Sequence, residues 1–213
     1  MLVLIALMGA MVSSPLLAQS SELEALECGA LDNAYGPFDY TDPTHRRDNL
    51  PIVEQFHFSS DVENLRRGQS STIIGDLDYT LRAFPNHHRA LNSVARYLQA
   101  NPTAAIAPYR SAECYFNRAM RFRPGDGTVR MIYGTYLFKR GERQAALQRY
   151  EEALTLKPES AEAHYNMGLL QLDLKRTDEA LEHAHKAYAL GYPLQGLKNR
   201  LKRAGAWKEP REP

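Results

Sequence analysis

Two prolines, Pro124 and Pro158, stand 34 residues apart, and this spacing restricts the fold more than any other feature of the chain. A period of 34 residues is typical of stacked helical hairpins. Small residues recur at the same interval inside the two units that the prolines close: Gly134 with Gly168, and Ala146 with Ala180. The repeat therefore predicts a helical array.

Apolar helical runs lie on both sides of each proline. The pattern predicts four helices, over residues 128–139, 143–156, 161–174 and 177–190. Glycine and alanine on facing helices allow a close approach, and larger apolar side chains fill the remaining space. One helical pair cannot bury its apolar faces alone, so neighbouring units must stack.

These residues resemble the tetratricopeptide repeat, whose pattern is W-x2-L-G-x2-Y, then A-x3-F, then P. The middle unit matches at Arg130, Tyr133, Gly134, Leu137, Ala146, Tyr150 and Pro158. The last unit matches at His164, Met167, Gly168, Gln171, Ala180 and Ala184, with its proline displaced by one residue to Pro193. A first unit matches at Leu91, Val94, Ala95, Leu98, Ala112, Phe116 and Pro124. Its span from Pro85 to Pro124 is 39 residues, five too long, and the excess lies between its helices, in residues 100–108. The resemblance covers residues 85–193 and implies an all-α, short helical-hairpin solenoid of about three units.

In proteins of this kind the first helix of each repeat lines a concave groove that binds a partner protein. Carried over by register, the resemblance implies a groove surface of mixed aromatic, aliphatic and charged residues. Its members are Arg89, Asn92, Arg96, Met131, Thr135, Phe138, Lys139, Tyr165, Leu169, Leu172 and Asp173.

The last segment, residues 194–213, reads as a capping helix and tail. Leu194, Leu197, Leu201, Ala204 and Trp207 recur at spacings of three or four and form one apolar stripe, opposite a basic face. A cap with an apolar inner face is what a repeat array needs at its end. A helix lying on a membrane surface is the alternative.

Residues 19–84 precede the array and read as an irregular, acidic and aromatic head with one or two short helices. Helices are predicted from Ser59 to Arg67 and from Ile74 to Ala83. The head up to Phe84 has 12 acidic and 5 basic residues, whereas the remainder has 13 acidic and 21 basic. Either the head lies against the basic repeats, or the two surfaces are solvated independently.

Residues 1–18 carry no charge, and the apolar run from Leu2 to Met11 ends at Ser13, Ser14 and Pro15. This is typical of a secretory signal peptide and is too short for a full membrane span. No basic residue precedes the run, and an uncleaved N-terminal anchor is the alternative. We expect export to a bacterial periplasm, with membrane contact only through an uncleaved N-terminus.

Two cysteines, Cys28 and Cys114, follow the predicted signal peptide. Oxidising compartments preserve disulfides, and two cysteines allow one intramolecular pairing. That bond would close a loop of 86 residues. The alternative is two unpaired thiols, one of them buried.

No pattern in the chain indicates catalysis, a cofactor or a metal. Phosphate-binding glycine loops and hydrolase or metalloprotease signatures are lacking. The pair Asp76 and Asp78 reads as a solvated helix start, and the net charge of +1 gives no reason to expect nucleic acid. We predict a non-enzymatic scaffold or assembly factor of the cell envelope. The alternative is a periplasmic protein that binds a small ligand between its head and its repeats.

Overall fold

The computed structural model describes residues 28–209, and that part of the chain contains α-helices but no β-strand. Its helices are α1 (Pro43–Asp48), α2 (Leu50–His57), α3 (Ser60–Glu63), α4 (Ile73–Ala83), α5 (His88–Ala100), α6 (Ala112–Phe122), α7 (Gly127–Lys139), α8 (Arg143–Leu156), α9 (Ala161–Asp173), α10 (Thr177–Ala189) and α11 (Gly196–Arg203). Helices α5 to α10 form three consecutive hairpins, as the repeat predicts, and the all-α solenoid is confirmed.

Close helix contacts occur where the small residues recur. A Cβ atom on Gly134 would lie 2.8 Å from the ring of Tyr150 and 3.3 Å from the carbonyl oxygen of Ala146. A Cβ on Gly168 would lie 3.2 Å from the carbonyl oxygen of Ala180. The glycine of each first helix therefore faces the alanine of its partner helix, which explains why both recur at one interval.

Side-chain caps fix the beginnings of the repeat helices. Asp126 accepts hydrogen bonds from the backbone N–H groups of Thr128 and Val129 at the start of α7, and Ser160 accepts one from Ala163 at the start of α9. The four helices predicted from the repeat begin and end within one residue of their predicted bounds. In the longer first unit, a 3₁₀ turn over Pro102–Ala104 and the loop after it hold the extra residues.

The head contains more helix than the sequence predicts, since α1 and α2 precede the two predicted helices. The segment around Asp42 and Pro43 reads as a turn, but Asp42 accepts hydrogen bonds from Thr44 and His45 and caps α1. Pro43 occupies the first helical position, where a missing N–H costs nothing.

Helix α3 is shorter than predicted and ends at Glu63. Leu65 has a φ of 59°, in the left-handed region, and the N–H of Arg66 donates to the carbonyl of Asp61 at 2.9 Å. This arrangement terminates helices. The prediction of a helix through Arg67 is wrong for that reason.

Asp76 and Asp78 are buried, so their interpretation as a solvated helix start is wrong. The carboxylate of Asp76 accepts hydrogen bonds from His57 and from the backbone of residues 69–71, in the loop before α4. Asp78 lies between Arg82 and Arg110. Each carboxylate has its own donors, which offset the cost of burial.

The head lies against the repeats. Tyr40 packs on His87, at the start of the first repeat, with ring centroids 4.3 Å apart. Asp39 forms an ion pair with Arg123 of the first repeat at 3.1 Å. Of the two arrangements that the charge asymmetry allows, the structure shows the acidic head in contact with the basic repeats.

The predicted cap is present as α11, but only part of its stripe is buried. Leu197 and Leu201 are fully buried against α9 and α10, whereas Leu194 is 56% exposed and Ala204 is also exposed. The helix begins after Leu194 and ends before Ala204, so neither follows its register. Within residues 28–209, no helix combines the length and apolar character that crossing a membrane requires. The predicted signal peptide, residues 1–18, lies outside the described residues.

Candidate partner-binding groove

Cys28 and Cys114 form the predicted disulfide, with an S–S distance of 1.99 Å. Cys114 lies in α6, the second helix of the first repeat, and Cys28 begins the described part of the head. The bond therefore ties the head to the array. It also excludes Cys114 as a free nucleophile in this structure.

Three arginines hold the head segment that follows Cys28. Arg110 donates to the carbonyl of Cys28 at 3.1 Å, and Arg121 donates to that of Gly29 at 2.8 Å. Arg118 is 1% exposed and donates to the carbonyls of residues 28–30. Buried carbonyl oxygens need such donors, so these contacts fix the backbone beside the disulfide.

The head covers the first repeat's share of the predicted groove. Arg89 forms ion pairs with Glu54 of α2, at 3.4 Å, and with Glu63 of α3. Arg96 donates to the carbonyl of Glu63 at 2.6 Å. Two of the three residues predicted in this unit therefore contact the protein's own head. The third, Asn92, is exposed and makes no such contact with the described residues.

The middle repeat contributes both packed and open positions. Met131 is 5% exposed, and its sulfur lies 3.4 Å from the amide nitrogen of Asn166 on the next repeat. Thr135 lies 3.1 Å from the hydroxyl of Tyr150. Phe138 is half-buried against the main core, and Lys139 is exposed. The open part of this helix is therefore its C-terminal turn.

The last repeat's predicted residues pack mainly against the cap. Tyr165 and Leu172 are each 8% exposed, in one core cluster with α11, and half-buried Leu169 packs on that cluster. The Tyr165 ring lies 4.4 Å from that of Tyr192, and Asp173 is paired with Arg143. Tyr192 and α11 lie after the helices of the last repeat, which is why register alone assigns Tyr165 and Leu172 to an open surface.

Glu162, at the start of α9, is exposed, yet its surroundings resemble a concavity. Burial raises the pKa of its carboxyl group, and Lys157 is the one charge that opposes the shift. A solvent-accessible carboxylate is desolvated where protein surrounds it on several sides. Its charge also raises the pKa values of Tyr150 and Tyr192, after desolvation as the main cause. The exposed residues of the two first helices therefore include Lys139 of α7 and Glu162 of α9.

The histidines are used in packing contacts. His87 is fully buried and lies 3.1 Å from Glu54, and His88 lies 2.8 Å from Asp126. The facing nitrogens of His164 and His183 lie 2.9 Å apart. Within residues 28–209, no group of three or more histidine, cysteine, aspartate or glutamate side chains could hold a metal ion.

A family model described as a TPR repeat matches residues 134–175. The chain is 27% identical over 110 residues to human Protein O-mannosyl-transferase TMTC3, a match covering 52% of this chain and 12% of that protein. It is 30% identical over 115 residues to the DnaJ homolog subfamily C member 7 homolog of Schizosaccharomyces pombe, covering 45% of this chain and 24% of that protein. The chain thus matches only a minor part of either relative.

Two solved structures share the fold. A crystal structure of MamA protein has a TM-score of 0.51 and 18% identity, and covers 73% of this chain and 82% of that chain. The structure of Pseudomonas aeruginosa pilF has a TM-score of 0.53 and 20% identity, and covers 76% of this chain and 70% of that chain. The family match identifies a tetratricopeptide repeat at residues 134–175, and these likenesses and the Gly–Ala helix contacts show the same fold of stacked helical hairpins around it.

Proposed function

We propose that this protein is a non-enzymatic scaffold that holds a partner protein along α7 and α9. Tetratricopeptide arrays present concave surfaces to extended or helical segments of other proteins. The observation that carries the proposal is the set of positions on the two first helices that stay exposed or half-buried, among them Phe138 and Lys139 of α7 and Glu162 of α9. Lys139, in the last turn of α7, provides an exposed cation.

The footprint of the partner is smaller than the register predicts. The first repeat's Arg89 and Arg96 bind the head, and Tyr165 and Leu172 belong to the core under the cap. Substituting Tyr165 would disturb folding as well as binding. The exposed or half-buried positions Thr128, Phe138, Lys139 and Glu162 remain as the contact surface.

We further propose an exported location, with the partner being a component of the cell envelope. Two observations support it: the uncharged apolar run in residues 1–18, and the disulfide between Cys28 and Cys114, which persists in oxidising compartments. Recovering the protein from the envelope fraction tests both points: its mass shows whether the leader has been cleaved, and the proteins recovered with it identify the partner.

Site-specific photocrosslinking tests the groove. A photoreactive side chain at Glu162 should capture a discrete partner from the envelope fraction, whereas the same group at Glu151, exposed on the second helix of the middle repeat, should not. Lys139→Glu should weaken the crosslink at position 162, and Gln148→Glu on α8 serves as its matched control. Equal capture from positions 162 and 151, or an undiminished crosslink in Lys139→Glu, would contradict the groove assignment.

A further inference from the structure

The lengthened first repeat forms one wall of a cleft of about 440 Å³. Pro108, Tyr109 and Arg110, just after the extra residues, line it on one side. Tyr79 and Arg82 of α4 line it from the head. The cleft shares no residue with the open groove, and its size lies within the range of small-molecule sites. The extra residues of this repeat therefore have a structural consequence that the solenoid alone does not need.

Asp78 is the only carboxylate that lines this cleft, and both of its oxygens are already engaged. One oxygen accepts from Arg110 at 3.1 Å and from the Tyr115 hydroxyl at 2.8 Å, and the other accepts from Arg82 at 2.9 Å. The lining therefore has little acceptor capacity left for hydrogen-bond donors of a ligand.

Among the side chains of the cleft lining, unused hydrogen-bond donors, in contrast, outnumber unused carboxylate acceptors. Each of the two guanidinium groups carries five N–H bonds, and the bonds to Asp78, to Asn33 and to the carbonyl of Cys28 leave N–H groups unused on both. Within residues 28–209, the hydroxyls of Tyr79 and Tyr109 make no hydrogen bond. A ligand rich in acceptors would satisfy these groups.

Positive charge is also in excess around the cleft. Arg118 and Arg121, which lie beside Arg110, donate to backbone carbonyls and form no ion pair within the described residues. Burial, with the charges of Arg110 and Arg121, lowers the pKa of Arg118 to about 10. Asp76, which is bonded to His57 of the cleft lining, is fully buried and is engaged by His57 and by backbone N–H groups. An anion would relieve this crowding of like charges.

We propose that the cleft binds a small organic anion through a carboxylate or phosphate group, which Arg82 and Arg110 hold and the hydroxyls of Tyr79 and Tyr109 orient. Planar guanidinium groups match both oxyanions in a bidentate geometry. The proposal does not depend on the groove, because the two surfaces have separate linings. It also gives the lengthened repeat a role, since the loop after α5 brings Tyr109 and Arg110 to the ligand.

The test uses the oxidised chain labelled with ¹⁵N, titrated with benzoate, phenyl phosphate and neutral benzamide while the Nε–H signals of the arginines are recorded. One or both anions should shift the signals of Arg82 and Arg110 with a dissociation constant of about 1 mM or below, and benzamide should bind at least about tenfold more weakly. A response to one anion alone identifies which oxyanion the site prefers.

Two variants separate binding from folding. Arg82→Gln should weaken binding of the anion by about tenfold, and Tyr109→Phe, which removes one hydroxyl that has no partner, by about threefold. Arg66→Gln, at a side chain that is 71% exposed, is the matched control and should bind as the wild type does. No shift at about 20 mM of either anion, equal affinity for benzamide, or wild-type affinity in Tyr109→Phe and in folded Arg82→Gln would each overturn the proposal.

Discussion

Removing the bond between Cys28 and Cys114 should destabilise the protein without unfolding it. The double substitution Cys28→Ser and Cys114→Ser opens a loop of 86 residues. In the chain-entropy model the unfolded chain then gains freedom equivalent to about 4.6 kcal/mol at 25 °C. Domains have total stabilities of about 5–15 kcal/mol, so this is a large fraction of the whole.

The folded variant should keep its head in place, because the contacts beside the bond do not depend on it. Arg110, Arg118 and Arg121 still donate to the carbonyls of residues 28–30, and Tyr40 still packs on His87. The lower free energy of unfolding therefore arises from the greater conformational freedom of the unfolded chain. The aromatic near-ultraviolet circular dichroism of the folded variant should match that of the wild type.

Urea unfolding measures the effect. With a slope of about 3 kcal/mol per molar urea, a loss of about 4.6 kcal/mol lowers the midpoint by about 1.5 M. Ellipticity follows the whole array, while fluorescence of Trp207 follows the cap, because its ring packs on Tyr188 of the last repeat. Repeat arrays can unfold in parts, so coincident transitions are required before one free energy is fitted.

Reduced wild-type protein is the control and should unfold with the double variant. A difference in free energy of unfolding below about 1 kcal/mol would refute the loop-entropy reasoning. A folded variant with an altered near-ultraviolet spectrum would instead show that the three arginines do not hold the segment without the bond.

Three further predictions follow from packing and protonation. Gly134→Ala should lower the free energy of unfolding by about 1–3 kcal/mol, because the new Cβ meets the Tyr150 ring, and thermal unfolding measures the loss. Gly125→Ala is the control: a Cβ there has no atom within 4 Å, so the free energy should change by less than about 0.5 kcal/mol. Arg118→Met should lower it by about 1–3 kcal/mol in urea, since it removes the donor to the carbonyl of Ala30 and one of two donors to the carbonyls of Cys28 and Gly29. Arg66→Met at an exposed site should be neutral, and equal losses would contradict the clamp. Burial, followed by the charges of His164 and Lys186, lowers the pKa of His183 to about 4. The neutral imidazole therefore contributes its full share of the unfolding free energy above pH 6.5, and this share is lost as the pH falls from 6.5 towards 4. His183→Gln should flatten the decline in unfolding free energy between these values, and an unchanged pH profile would show that His183 does not cause it.

Much of the array could be predicted because its signals are local and recur. Glycine, alanine and proline at one interval locate both helices of a repeat, and the bounds of α7 to α10 follow within one residue. The head's first two helices, of six and eight residues, are missed because they are short. The signal for α1 is the pair Asp42 and Pro43, which serves as a cap with a first helical residue as readily as it serves as a turn.

The candidate groove could be predicted only as a face of each first helix. Which residues stay open depends on elements outside the repeat. Glu63 engages Arg89, from a helix 26 residues earlier, and Tyr192 covers Tyr165 from the turn after the last repeat. Neither contact follows from the register. The sequence leaves open a ligand site between the head and the repeats, but the residues of the cleft beside Arg82 and Arg110 could not be predicted, because they depend on the position of the head on the lengthened repeat.

Both helices of the first repeat serve the head, but with ties of unequal strength. Helix α6 holds residues 28–30 through the disulfide and through Arg118, which is buried. Helix α5 holds α3 through Arg89, whose side chain is 48% exposed. Exposed ion pairs contribute about 0–1 kcal/mol and weaken with salt. On α5 the ion pair is therefore the minor tie, because Val62 of α3 is fully buried in the core and both Ser93 and Arg96 donate to the carbonyl of Glu63; salt that breaks the ion pair should leave α3 in place.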